Sequence, residues 1–357
     1  MDHASRRARL VARLPELEAD AFLVTRLPNV RFLTGFTGSN GQLLLTADGG
    51  VFLTDGRYTE QARHEVPDLR RAQYTGELGL VFADLRAELD LGRVAFEAAG
   101  VTYKTYQGLS AAGGEMVPTS DEVERLRWVK APEELAHLED AQAVADDAFE
   151  VVVGKLAEGM TEREVAFELD TAMRRGGAEA VSFETIVAFG ESGAEPHHNP
   201  GPREVQRGDV VKIDFGSVVD GYHSDMTRTV AFGPPSPRLR EVYELVRRAQ
   251  QAGVEAVRAG VTCSEVDRAT REPIREAGYG EQYRHPVGHG VGLEIHGQPW
   301  LRQGNDEALP EGAVVTVEPG VYLDGEGGVR IEDMVEVTAD GCRVIPRTTK
   351  ELVVLDA

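Results

Sequence analysis

From Ala21 the chain alternates short apolar runs with turn signals: "AFLV", "QLLLT" and "GGVFLTD" are separated by Pro-Asn, Gly-Ser-Asn-Gly and Asp-Gly-Gly. Such runs, rich in β-formers and bounded by Gly, Asn and Asp, read as strands. The stretch from Leu78 to Leu89 is amphipathic instead, so helices are interleaved, and a small α/β domain is expected over residues 1–122. Beyond it, Leu135, Leu138, Ala141, Val144, Ala148 and Val152 recur at helical spacing. A long helix therefore opens a second domain, expected over residues 123–357.

The second domain contains an internal echo. "EGMTEREVAFELD" and "AGVTCSEVDRATRE" each place a Thr-x-x-Glu capping box, at Thr161 and Thr262, at the start of a helix of similar length. Each helix is followed by a glycine-containing stop and a β-type run. The whole succession recurs, so two similar α/β halves with a cleft between them are expected, an α/β (α+β) architecture overall.

Composition narrows the partners. Asp and Glu total 60 against 38 Lys and Arg, a net charge of -22, and a surface that acidic repels phosphate backbones. Nucleic acid is thus not expected as a partner. Cys263 and Cys342 are too few for a disulfide framework and suit a reducing cytoplasm. The N-terminal twenty residues lack an apolar h-region, and no stretch approaches the ~18 apolar residues of a membrane span. Neither a signal peptide nor a membrane partner is expected.

Candidate chemistry gathers in three places. In "DVVKIDFGSVVDGYHSDMTRTVAF" the Asp220-Gly221 pair signals a two-residue hairpin. That register sets Asp214 opposite Thr227 and makes Asp225 its neighbour on one face. Like charges there are destabilising unless a cation lies between them. In "AVVTVEPGVYLDGEGGVRIEDMVEV", Glu318 and Glu332 interrupt apolar strands, and Arg330 could pair with only one of them. In "HPVGHGVGLEIHGQPW", His285 and His289 have the spacing of a zincin helix, but Pro-Val-Gly between them disfavours a helix and supplies no glutamate. Glycines 288, 290 and 292 would let the backbone approach a crowded site.

Two Asp, two Glu and one His make an oxygen-rich donor set, which favours Mn, Mg or a dinuclear arrangement over structural zinc. A pair of bound divalent ions can produce hydroxide near neutral pH, so the pattern points to hydrolysis. His3, His64, His137 and His223 read as structural or surface residues.

The succession "KIDFG", "SDMTRT", "HPVGHGVGLEIH", "TVEPGVY", "GGVRIED" resembles the pita-bread dinuclear metallopeptidases, in the branch of aminopeptidase P and prolidase. The resemblance runs from about residue 125 to the end. "NVRFLTGFTGSNG" and "FLTDGRYTEQA" resemble the creatinase-like N-terminal domain of that branch. The resemblance implies a C-terminal pita-bread catalytic domain with pseudo-twofold halves. It implies two divalent metal ions, Mn first, with Co and Zn as alternatives. Asp214 would hold one ion and His289 and Glu318 the other, with Asp225 and Glu332 bridging. His197 and His296 match the family's substrate-side histidines, with His198 a neighbouring candidate for the former. His285 falls near the site, Glu318 would accept a proton, and Arg330 would hold Glu332 in place.

The implied activity is cleavage of the peptide bond before a proline at the second position, first as an Xaa-Pro aminopeptidase of the aminopeptidase P type and alternatively as an Xaa-Pro dipeptidase. A dipeptidase must neutralise the substrate carboxylate near the metals. Several prolidases carry Arg where this chain has Trp300, although Arg302 is close by in sequence. A catalytically silent binding protein and a metal-independent creatinase-type hydrolase are disfavoured because all five ligands are intact. The resemblance also implies a homodimer in which a loop such as "TGFTGSN" reaches the partner's cleft.

Overall fold

The structure, a computed structural model, describes residues 1–356 and forms two compact units that divide between Arg127 and Trp128. The first unit is one mixed sheet of β1 (Ala21–Val24), β2 (Gln42–Thr46), β3 (Gly49–Asp55), β4 (Arg70–Tyr74), β5 (Arg93–Glu97) and β6 (Glu115–Thr119), in the order β4-β3-β2-β1-β5-β6. The β1–β2 and β2–β3 pairs are antiparallel; the other three are parallel. Six helices join and flank these strands: α1 (His3–Val11), α2 (Leu27–Thr34), α3 (Thr59–Glu65), α4 (Leu78–Glu88), α5 (Tyr103–Ala111) and α6 (Glu122–Arg127). The amphipathic stretch becomes α4, whose Phe82 and Leu85 pack against Leu23, Leu44 and Leu53 of the sheet. The boundary expected at 122/123 falls at the start of α6, the last element of this unit.

The second unit opens with α7 (Pro132–Val153). Proline occupies its first turn, where no backbone donor is needed, after an extended Ala131 that separates it from α6. Next come α8 (Glu162–Arg175), β7 (Ala180–Val181), β8 (Ile186–Phe189), β9 (Val210–Phe215), β10 (Ser217–Val219), β11 (Tyr222–His223) and β12 (Met226–Phe232). The second succession begins with α9 (Pro237–Ala256) and α10 (Cys263–Glu276). It continues through β13 (Gly288–Gly290), β14 (Gly297–Leu301), β15 (Val314–Val317), β16 (Gly320–Leu323), β17 (Gly327–Arg330), β18 (Asp333–Val337), β19 (Cys342–Val344) and β20 (Val354–Leu355).

Each half is a helix pair laid on a largely antiparallel sheet, with β12 and β20 forming a parallel pair in the first. Helices α7 and α8 cover β8, β9 and β12 through Val211, Ile213 and Phe215. The end of α9 and the start of α10 cover β15 and β18 through Val315, Val317 and Val335. Both capping boxes form: Thr161 and Glu164 exchange bonds of 2.9 and 3.2 Å, and Thr262 and Glu265 bonds of 2.9 and 3.3 Å. Each capping threonine also makes an isolated bridge, to Glu204 and Ala308 respectively, so the expected repeat extends beyond the helices. Strand alternation then turns residues 212, 214 and 316 away from the helix layers, toward the space between the halves. No helix is long and apolar enough to cross a membrane among the described residues.

Candidate active site and metal centre

The β9–β12 ladder has the expected register, with Asp214 opposite Thr227, and β10 and β11 pair Val219 with Tyr222 across the turn. Asp225 immediately precedes β12. Carboxylate oxygens of Asp214, Asp225 and Glu332 all lie within 4.8 Å of one another, and all three residues are buried. The two glutamates occupy different places from those expected. Glu318 follows β15, where Pro319 turns the chain into β16, and Glu332 joins β17 to β18. Neither interrupts a strand: each lies where two ladders part, which frees its side chain to turn into the site.

His289 lies mid-strand in β13, as the rejection of a zincin helix requires. The glycines on either side explain how it fits. A Cβ on Gly288 would lie 2.0 Å from the Thr316 carbonyl oxygen, and one on Gly290 would lie 2.1 Å from that of Gln298. Gly292 does not share the reason, since its nearest neighbour would be 3.5 Å away on the flexible Lys130 side chain. With Nδ1–H donating to the Gly290 carbonyl at 3.2 Å, the Nε2 lone pair faces Glu318 at 3.4 Å and Asp225 at 3.5 Å. Burial, reinforced by His296, pushes the His289 imidazole down to about 3, so it is neutral, the form that ligates metal.

Arg330 supplies the main correction at this site. It pairs directly with Asp214 rather than with Glu332. Its Nε donates to Thr227 Oγ1 at 3.0 Å, and Thr227 Oγ1 in turn donates to Glu332 Oε2 at 2.7 Å. Its hydrogen-bonded link to Glu332 therefore passes through a threonine that the sequence does not single out as a relay. The hairpin register, which sets Thr227 opposite Asp214, is the signal that could have found it. Arg330 Nη1 also donates to the Tyr322 hydroxyl at 2.9 Å, and that hydroxyl lies 2.8 Å from His285 Nε2.

One guanidinium cannot balance four carboxylates. Removal from water, and then repulsion from Glu332, raises Asp225 and Glu318 well above the ordinary carboxylate range; burial and then Asp214 push Glu332 up to about 8. Asp214 Oδ1 and Glu332 Oε1 are buried with no hydrogen-bond partner. A buried acceptor left unmet costs roughly 1–3 kcal/mol. Unmet carboxylate oxygens converging with a neutral imidazole fit hard divalent cations, and few other ligands would satisfy them.

These groups line a cleft of about 510 Å³. His197, His296 and His285 line it too, as do Phe183, Ile186 and Trp300. The His296 ring meets His289 edge-on at 4.7 Å and lies nearly parallel to Trp300 at 6.4 Å. Burial, with Arg330 next in effect, pushes His285 down to about 3. His198 reaches the cleft wall as well, but its ring is bonded to Glu162 at 2.8 Å and Glu195 at 2.6 Å. Held on both nitrogens, it is unavailable to substrate, which leaves His197 as the open histidine of the pair. Arg302 is exposed and absent from the cleft lining, so it does not replace Trp300 there.

Residues 136–339 match metallopeptidase family M24, and residues 6–129 match the creatinase/prolidase N-terminal domain. The chain belongs to family M24. An Xaa-Pro dipeptidase of Pyrococcus furiosus is 35% identical over 96% of this chain and 98% of its own length. Among solved structures, an Xaa-Pro dipeptidase from Bacillus anthracis has a TM-score of 0.96 at 40% identity, covering 99% of this chain and 100% of that one. An X-Pro aminopeptidase from Thermotoga maritima has a TM-score of 0.89 at 36% identity, covering 98% and 100%. The creatinase-like domain followed by an M24 pita-bread domain, expected from the motifs, is thus the architecture of this chain.

Proposed function

We propose that this M24 hydrolase cleaves Xaa-Pro dipeptides, using two divalent metal ions, manganese first. The observation that carries the reading is the buried cluster of Asp214, Asp225 and Glu332, joined through Asp225 to a neutral His289 whose lone pair also faces Glu318, with two carboxylate oxygens otherwise unmet. The full-length likeness to named Xaa-Pro dipeptidases moves the preference from the aminopeptidase P type to the dipeptidase. Trp300 on the cleft wall and the likeness to an X-Pro aminopeptidase keep the tripeptide reading as the second one.

In this reading Asp214, Asp225 and Glu332, together with His289 and Glu318, would hold the two ions. Bound divalent ions supply Lewis acidity, lowering the pKa of water and polarising a carbonyl. Glu318, at the edge of the cluster, takes the proton released as water attacks the carbonyl before proline. His197 and His296 face the developing oxyanion, where preorganised donors lower the barrier. Neutral His285, fixed by Tyr322, completes that wall, and Arg330, paired with Asp214, holds that carboxylate in orientation. The proline nitrogen carries no hydrogen, so recognition must rest on ring shape; Phe183, Ile186 and Trp300 offer apolar surface for it. The protein works in the cytoplasm as a homodimer, which sedimentation of the intact chain would check.

The test is chelation followed by add-back of Mn(II), Co(II) or Zn(II), with an Xaa-Pro dipeptide and an Xaa-Pro-Yaa tripeptide compared under each metal. Dipeptide turnover restored best by Mn(II) is expected. Activity indifferent to chelator would sink the metallopeptidase reading, and faster tripeptide cleavage would return the preference to the aminopeptidase.

A further inference from the structure

Lys212 lies two residues before Asp214 on β9 and points to the same side of the sheet, yet it is fully buried. A buried ammonium is costly unless its donors are met. Here the three N–H donors of the side chain meet three carbonyl oxygens of one short segment: Gly193 at 3.2 Å, Glu195 at 2.5 Å and Pro196 at 3.5 Å. Its charge also lies 5.1 Å from the centre of the Tyr322 ring. Arg330 Nη1 donates to the Pro196 carbonyl as well, at 3.2 Å.

That segment ends at His197. Beyond it, buried Glu162 of α8 accepts from Gly201 N at 2.9 Å and holds the His198 ring. The loop is therefore tied at both ends, and His197, exposed on the cleft wall, sits between the ties. The near tie comes from the strand that carries Asp214, so one rigid element sets both the carboxylate and the histidine.

We propose that Lys212 is a positioning residue: by gripping the carbonyls of residues 193, 195 and 196 it sets His197 against the carboxylate cluster. The inference rests on the reading that His197 contacts substrate. A side chain that orients a catalytic group acts through that group, so its loss and the group's loss overlap instead of adding.

The test compares Lys212→Met, which keeps length but removes the donors, with Lys212→Arg, His197→Ala and the Lys212→Met/His197→Ala double variant, all as full chains loaded with Mn(II). Lys212→Met should lower kcat/KM for an Xaa-Pro dipeptide roughly 10- to 100-fold, mainly in kcat, with metal stoichiometry unchanged. Lys212→Arg should restore part of the loss, and the double variant should be within about threefold of His197→Ala alone. Losses that multiply, or a Lys212→Met enzyme within twofold of wild type, would overturn the proposal. Should Lys212→Met not fold, Lys212→Gln, which keeps one amide donor group, carries the same comparison. Hydrogen exchange of the amides of residues 193–195, 197 and 198 reads the grip without any activity: at least tenfold faster exchange in the variant is expected, and unchanged exchange would refute it. A wild-type chain that cleaves no Xaa-Pro peptide under any metal would instead overturn the functional reading while leaving the exchange result to stand or fall separately.

Discussion

Glu332 and Asp333 are consecutive, buried and acidic, yet they live in opposite surroundings. Asp333 receives Arg228 at 2.8 Å, Lys350 at 2.7 Å and Gln250 at 2.9 Å, so two cations and an amide meet one carboxylate. Glu332 receives a single threonine hydroxyl, keeps one oxygen unmet and faces further carboxylates. The backbone between them serves both sides, because Arg228 also donates to the Glu332 carbonyl and to the carbonyls of Thr348 and Thr349. Burial and charge alone therefore do not mark a functional acid; the balance of partners does. The satisfied cluster anchors the C-terminal segment behind the site, and the unsatisfied one is the proposed cation site.

The largest effect that could break this contrast is on activity. Glu332→Gln should cut kcat/KM by roughly 10³-fold, since a lost metal-centre carboxylate removes several kcal/mol of transition-state stabilisation. The same substitution should raise the melting temperature of the metal-free protein at pH 8, because it removes a like charge from a crowded site. A metal-free variant less stable than wild type would mean that Glu332 is structural after all. Asp333→Asn should behave oppositely. It strands the buried Arg228 and should cost about 3–5 kcal/mol in urea unfolding, with metal stoichiometry preserved in the fraction that stays folded. Thr227→Val, which leaves the ligands in place but unhooks Glu332 from Arg330, should lower metal affinity about 10- to 100-fold; isothermal titration would read the change.

The smallest effect is a pH dependence that the two clusters should not share. In the metal-free protein Glu332 holds its proton up to about 8, whereas an ordinary glutamate releases it near 4.5. Between those values the native state carries a proton that the unfolded chain lacks, so this group makes stability fall as pH rises through that window. Metal binding must expel the proton, so affinity should rise with pH, and metal added at pH 7 in weak buffer should release protons. Glu332→Gln should flatten both trends, while substitutions around Asp333 should not. A metal-free melting temperature that climbs steadily from pH 5 to pH 8 would contradict the assigned surroundings.

Much of this was legible before any coordinates. Capping boxes at Thr161 and Thr262 revealed the repeat because the signal is local: a hydroxyl and a carboxylate three residues apart satisfy the first turn wherever the helix lies. The Asp220-Gly221 turn set the register of Asp214 and Thr227 for the same reason. What escaped was the wiring between distant segments. The partner of Arg330, 116 residues away, is Asp214 and not its near neighbour Glu332. Thr227 is visible as a relay only once β12 and the β17–β18 junction are adjacent. No local signal marks Lys212, and only the fold brings the carbonyls of residues 193, 195 and 196 onto its side-chain nitrogen.

Residue types, their spacing and the periodicity of burial follow from local chemistry, so the sequence by itself determined the elements, the repeated halves, the oxygen-rich donor set and the rejection of a zincin helix. Tertiary structure decided which acid is balanced and which is not. Glu332 ends the junction between β17 and β18 and Asp333 begins β18, and Asp214, Asp225 and Arg228, which meet them, come from the distant β9–β12 hairpin. Glu332 and Asp333 differ by one position along the chain, and packing alone makes one a strut and the other a candidate ligand.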